Sequence, residues 1–132
     1  MVKLRILVVD DDKNMQNLYK VVLTEDMFEP CFSDNGVEAL GLYHSWKPDI
    51  ILLDIMLPGM TGYSVLQEIR VKLRDAATTI IMVSSLSDKS DVEDCGRLGI
   101  QGYIVKPIKH AEIGNKIVQF YQRARQASAG VA

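Results

Sequence analysis

At 132 residues, 48% of them hydrophobic, the chain has the length of one ordinary domain with one substantial core, and a second domain would not fit. Its formal net charge of -2 lacks the basic surplus that neutralises nucleic-acid phosphates or anionic lipid, so direct nucleic-acid binding by this chain is not expected. The first apolar segment stops at Asp10, too soon for a membrane span and without a signal-peptide cleavage pattern, and Cys31 and Cys95 match neither a CxxC pair nor a zinc spacing; the expectation is a cytoplasmic protein with reduced cysteines and no membrane contact.

Leu4 to Val9 reads as a strand, followed by a helix with Met15, Leu18, Tyr19 and Val22 on one face at the i, i+3, i+4, i+7 spacing. Cys31 to Ser33 reads as a short second strand, Asp34-Asn35-Gly36 as a turn, and the segment to about Ser45 as a second helix. Ile50 to Leu53 has no polar alternation, as expected of a central parallel strand covered on both faces, and Leu66, Ile69 and Leu73 mark the next helix. Ile80 to Val83 gives a fourth strand, Ser90-Asp91-Val92-Glu93 reads as a capping box near a helix start, and Tyr103 to Val105 gives a fifth strand. A last helix carries Ile113, Ile117, Phe120 and Tyr121; beyond about Gln122 the hydrophobic period is lost, so 123–132 reads as a fraying helix end with a polar tail or a truncated linker, and 1–122 as the domain. Five strand-helix units in this order require right-handed crossovers, which predicts an α/β protein: a (βα)5, flavodoxin-like, doubly wound parallel sheet with strand order 2-1-3-4-5.

Polar residues stand where the apolar runs stop: Asp10 and Asp11 after the first, Asp54 after the third, Ser84 after the fourth and Lys106 after the fifth. Ligands of open α/β sheets bind outside these carboxyl ends, and in the predicted strand order the four strands concerned are neighbours, so the side chains converge. Three close carboxylates repel one another unless a cation is supplied, and an oxygen-only donor set without His or Cys suits Mg²⁺. Beside such an ion, Asp54 is an oxygen nucleophile for a phosphoryl group, and Lys106 and Ser84 can share the charge of its oxygens. Taken singly, each residue has a plainer explanation: Asp10 to Asp12 as helix N-terminal acids, Asp54 in a turn, Ser84 bonded to backbone, Lys106 solvated. Jointly those explanations fail, because they do not account for acids, hydroxyl and ammonium at consecutive strand ends of one sheet.

The segments Ile-Leu-Val-Val-Asp10-Asp11-Asp12, Leu-Leu-Asp54-Ile-Met56-Leu-Pro58-Gly-Met60-Thr-Gly62, Val83-Ser84-Ser85 and Gly102-Tyr103-Ile-Val-Lys106-Pro107 resemble the receiver domain of two-component response regulators, from about Leu4 to Tyr121. The resemblance implies phosphorylation of Asp54 by a histidine kinase or histidine phosphotransfer protein. It implies Mg²⁺, with Mn²⁺ able to substitute, held by Asp11, Asp54 and the Met56 carbonyl, with Asp10 acting through water. It further implies Lys106 and Ser84 on the phosphoryl group, Ser84 and Tyr103 as the switch pair, and a cis bond before Pro107. The molecule is then a signalling switch that catalyses its own phosphoryl acceptance and slow dephosphorylation, and is otherwise no enzyme. Its output is an unknown downstream protein or a missing effector domain, and dimerisation would use the last two helices and fifth strand. Ile108 stands where the family often has Phe, and Ser84-Ser85 replaces the frequent Thr-Ala pair, without loss of a required chemical group. Met56 and Leu86 occupy the positions where the family tunes water attack on the phosphoaspartate; both are apolar, so slow hydrolysis is expected.

Rival functions fare worse. A haloacid-dehalogenase-type enzyme wants its nucleophile on the first strand in a DxDx(T/V) pattern, which Asp10-Asp11-Asp12-Lys13-Asn14 does not complete, and a cap that has no room here. A receiver-like binding module that is not phosphorylated typically lacks one or more pocket residues, whereas all are present. A flavin-binding protein wants a phosphate loop after the first strand, to which Asp-Asp-Asp-Lys is hostile. His44 and His110 lack the spacing of a metal or catalytic site, Trp46 reads as packing beside a loop, and Met15, Met27, Met60 and Met82 as packing residues.

Overall fold

A computed structural model of the chain describes residues 2–130. The elements alternate: β1 (Leu4–Val9), α1 (Lys13–Val22), β2 (Phe28–Ser33), α2 (Gly36–Trp46), β3 (Ile50–Leu53), α3 (Gly62–Gln67), β4 (Thr79–Ser84), α4 (Lys89–Leu98), β5 (Gly102–Val105) and α5 (His110–Gly130). A π-helical turn, Glu68–Lys72, prolongs α3. All strand pairs are parallel, in the order β2-β1-β3-β4-β5, the flavodoxin-like order expected from the sequence.

Alternation along the strands splits the core into two layers. Ile6, Val8, Ile50, Leu52, Ile81, Val83 and Ile104 face α1 and α5, where they meet Tyr19, Leu23, Ile113 and Ile117. Leu7, Val9, Ile51, Leu53, Ile80 and Met82 face the other way, against Ala39, Val65, Leu66, Ile69 and Cys95 from α2, α3 and α4. Covered on both sides, the central strands need no polar positions, which is why β3 reads as a continuous apolar run. At β5 the approach of α5 is close: a Cβ on Gly102 would lie 2.6 Å from the Phe120 ring.

Besides one-residue shifts at strand ends and the π-helical turn, three elements differ from their sequence reading. β2 begins at Phe28, three residues early, since Pro30 is tolerated in an edge strand with its missing N–H outward. Ser90–Glu93 is not a capping box: α4 has begun at Lys89 with Asp88 in the extended N-cap conformation, and Asp91 lies in the first turn, where it complements the helix dipole. The last helix does not end near Gln122 but runs to Gly130, because Arg123, Ala124, Arg125, Gln126 and Ala127 are strong helix formers that need no apolar face to continue it. Val131 and Ala132 lie outside the described residues.

At the amino ends of the strands a polar network closes the α3–β4 connection. Arg70 donates to the carbonyls of Gly99, Asp75 and Thr78 and to Gln101 Oε1, at 2.7 to 3.0 Å. Asp75 accepts from Ala77 N and Thr78 N at 2.8 and 3.0 Å, and from the Tyr43 and Thr78 hydroxyls at 2.5 Å. Burial alone would raise the Asp75 pKa, but these donors overcome it and hold the carboxyl at about 2. The folded value lies below the unfolded one, so this contribution is present above about pH 4 and is lost as pH falls from about 4 towards 2. Asp75→Asn is expected to flatten the pH dependence of urea stability in that window. At pH 7 it should cost on the order of 1 kcal/mol, since Asp75 is only partly buried and solvent screening reduces the effect.

Candidate functional site

The parallel ladder continues for one residue past several strand ends. Asp10 N donates to Ser33 O at 3.0 Å, Asp54 N to Val9 O at 3.0 Å and Lys106 N to Ser84 O at 2.9 Å. The period of two therefore carries through Val8, Leu52 and Ile104 to Asp10, Asp54 and Lys106, and puts these three side chains on the same side of the sheet. They meet: Lys106 Nζ donates to Asp10 Oδ2 and to Asp54 Oδ2, each at 2.8 Å. Asp10 is 2% exposed and Asp54 6%, whereas Asp11 beside them is open to solvent. One carboxylate oxygen from each of Asp10, Asp11 and Asp54 lies within 4.8 Å of the others, the one such cluster of potential metal ligands among the described residues.

Local turns aim these groups. Asp12 N donates to Asp10 Oδ1 at 2.9 Å, and Asp12 caps α1 by accepting from Asn14 N at 2.9 Å, so for Asp12 the plain role as a helix N-terminal acid holds. Met56 N donates to Asp54 Oδ1 at 3.0 Å, which fixes the Asp54 carboxylate and turns the chain out of β3. The Lys106-Pro107 peptide is cis.

One ammonium faces three carboxylates, so negative charge is in excess. Burial pushes the Asp10 carboxyl above its ordinary pKa despite the hydrogen bonds of Lys106 and Asp12. For Lys106, burial disfavours the charge, but the bonds and charges of Asp10 and Asp54 outweigh it and the ammonium is held above its usual value. Lys106 is therefore a fixed cation, and the remaining deficit fits a hard dication with oxygen ligands, open to water on the Asp11 side.

Not every residue expected here joins the cluster. Ser84 continues the opposite face of β4, after Ile80 and Met82; it is fully buried, and its Oγ accepts from Leu86 N at 3.3 Å. Tyr103, half-buried on that same face, donates its hydroxyl to Leu86 O at 2.5 Å, so Ser84 and Tyr103 both grip the β4–α4 loop. Burial raises the Tyr103 pKa. The Met56 side chain, 57% exposed, stands at the rim. Two residues have a part in the site that the sequence reading did not assign them. Gln16 on α1 is buried and donates from Nε2 to the Asp10 carbonyl at 2.7 Å; the signal was an uncharged polar residue next to the apolar face, three before Tyr19. Gly62, where α3 begins, packs directly on the Asp54 peptide. His44 lies edge-on to the Tyr43 ring and His110 opens α5, and neither belongs to the cluster. A cleft of about 720 Å³ lies at the far end of the sheet between Ala76, Ala77 and the end of α5, and among the described residues no carboxylate lines it.

A family model described as the response regulator receiver domain matches residues 6–118. The chain belongs to the response-regulator receiver family. This receiver is 34% identical over 126 residues to the "Probable transcriptional regulator ycf27" of Guillardia theta, across 96% of its own length and 48% of the relative's. It is 37% identical over 109 residues to the DNA-binding response regulator MtrA of Mycobacterium leprae, across 83% and 47%. The chain thus spans about half the length of the curated relatives it matches. A CheY-like receiver domain protein from Methanospirillum hungatei superposes with TM-score 0.86 at 26% identity, covering 96% of this chain and 99% of that one. The chemotaxis protein CheY4 of Vibrio cholerae shares the fold, with TM-score 0.82 at 22% identity over 90% and 99%. Receivers of this family act in two-component signalling with histidine kinases and hold Mg²⁺ at an acidic pocket, and this chain has an aspartate cluster to match. No helix among the described residues is long and apolar enough to cross a membrane.

Proposed function

We propose that this receiver takes a phosphoryl group onto Asp54 from the phosphohistidine of a histidine kinase or histidine phosphotransfer protein, in a Mg²⁺-dependent reaction that Mn²⁺ also supports, and so switches its contacts with an output partner in the cytoplasm. The observation that carries this reading is the Lys106 ammonium 2.8 Å from both Asp54 and Asp10, with Asp11 alongside. A carboxylate oxygen of Asp54 forms the new P–O bond in line with the breaking P–N bond, and the imidazole leaves with the electron pair and takes its proton from solvent. Lys106 neutralises charge on the equatorial oxygens, and the Met56 N–H holds the other Asp54 oxygen away from the attack. Asp11, Asp54 and the Met56 carbonyl would hold Mg²⁺, with Asp10 acting through water, and the ion would supply the remaining positive charge that the phosphoryl oxygens need.

Ser84 then turns from Leu86 N towards the phosphoryl oxygens, and Tyr103 follows because both hold the same loop; two pre-existing arrangements of β4–α4 are reweighted. The receiver unit is 1–122, with 123–132, which continues α5 as far as Gly130, as tail or linker. Output passes to a downstream protein or an effector domain, and self-association uses α4, β5 and α5. The net charge of -2 argues against direct nucleic-acid contact by this chain. Exposed Met56 and half-buried Leu86 offer no group to orient an attacking water, so the acyl phosphate hydrolyses slowly: a polar Met56→Asn variant should lose label faster than the parent, in a chase after donor removal. The reading itself is tested by incubation with a small acyl-phosphate donor and Mg²⁺, followed by mass mapping. One labile phosphoryl group is expected on Asp54 and none in Asp54→Asn; label retained in that variant would overturn the assignment.

A further inference from the structure

Asp11 is the exposed member of the acidic cluster, and a metal ligand in the open needs its backbone fixed if its carboxylate is to be preorganised. The side chains of Asp10 and Asp54 are held by Lys106, and Asp10 Oδ1 also takes the Asp12 N–H. The peptide plane joining Asp10 to Asp11 has a different anchor. The Asp10 N–H ends the ladder to β2, and the Asp10 carbonyl receives the Gln16 side-chain amide at 2.7 Å. Gln16 is itself 6% exposed, and its own N–H bonds Asp12 O at 3.0 Å as part of α1. Its amide thus ties the loop to the helix through the backbone rather than through a carboxylate.

Resting on the proposed metal site, we propose that Gln16 is a positioning residue for that site: by holding the Asp10 carbonyl it sets the orientation of the Asp10–Asp11 peptide and with it the direction of the Asp11 carboxylate. Gln16 touches neither metal nor phosphoryl group. Replacing it with methionine keeps the length and apolar stem but removes the donor, and the freed peptide can rotate away from the orientation the cation needs.

The test is a calorimetric Mg²⁺ titration of wild type, Gln16→Met and Asp11→Asn. Gln16→Met should bind Mg²⁺ about 10-fold more weakly, the lower range for losing a residue that supports a ligand, with a circular dichroism spectrum like wild type. An affinity within twofold of wild type overturns the proposal. If the wild type binds no Mg²⁺, or Asp11→Asn binds as tightly as wild type, it is the metal site that fails rather than the role of Gln16. Should Gln16→Met not fold, the wild type still decides: in a ¹⁵N spectrum the Gln16 side-chain amide should shift with Mg²⁺ at the same midpoint as the calorimetry. An amide that does not move through saturation contradicts the role.

Discussion

Lys106→Met is expected to slow labelling of Asp54 by a small phosphodonor by roughly 10²- to 10³-fold, the loss typical of removing one preorganised charge from a developing transition state. The same change should destabilise the metal-free protein by about 3 kcal/mol, the low end for a buried ion pair deprived of one partner. The Asp10 and Asp54 side chains are 3% and 7% exposed, and Lys106 is the cation that bonds both. Without it two buried carboxylates repel each other with no charge between them. Mg²⁺ should return part of the lost stability, because it supplies positive charge to the same oxygens, but little of the lost rate, because the equatorial phosphoryl oxygens no longer meet an ammonium. Urea denaturation with and without Mg²⁺, alongside labelling kinetics, separates the two effects. Equal stability of variant and wild type in chelator would show that Asp10, Asp54 and Lys106 do not act as one electrostatic unit.

Gly62→Ala should be more damaging to the fold than any single surface change, with a cost above about 3 kcal/mol. A Cβ at that position would lie 2.0 Å from the Asp54 carbonyl oxygen, 2.7 Å from the Asp54 carbonyl carbon and 2.9 Å from Ile55 Cα. All three are backbone atoms, so no rotamer change relieves the overlap; either α3 moves outward or the strand end carrying Asp54 is displaced. The Gly62 N–H bond to Ile55 O at 2.9 Å, which closes the β3–α3 turn, would be lost with it. Labelling of Asp54 should therefore fall together with urea stability, in contrast to Asp54→Asn, which removes the acceptor without a packing defect. A Gly62→Ala protein as stable as wild type would contradict this close approach.

The topology was legible because β3 is wholly apolar, β1 and β4 carry the apolar runs Ile6 to Val9 and Ile80 to Val83, and each is followed by a helical period. Parallel neighbours joined by right-handed crossovers restrict such an alternation to few strand orders, and the observed one is among them. Residues that stop an apolar run declare themselves by contrast, which made Asp10, Asp54, Ser84 and Lys106 visible. What stayed hidden was geometry without a charge signal. Gln16 carries no charge and sits beside an otherwise ordinary helix face, and Gly62 matters only through a backbone approach from β3. The face of the sheet on which Ser84 projects, away from Asp10, Asp54 and Lys106, follows from counting the period of two past the strand ends, yet its bond to Leu86 N could not be counted. Local signals also misplaced boundaries: a Ser-x-x-Glu pattern inside α4 mimicked a cap, and the loss of apolar period in α5 mimicked an end, because helix propensity and amphipathic patterning are separate properties.

The most direct measurement is the stoichiometry of phosphate on Asp54 as Mg²⁺ is titrated into wild type and Asp11→Asn with a small phosphodonor. The gathered acids and ammonium predict a rise towards one phosphate per chain in wild type, background in chelator, and a curve displaced to much higher Mg²⁺ in Asp11→Asn. Label that forms equally well without a divalent ion, or that maps to a residue other than Asp54, would contradict it.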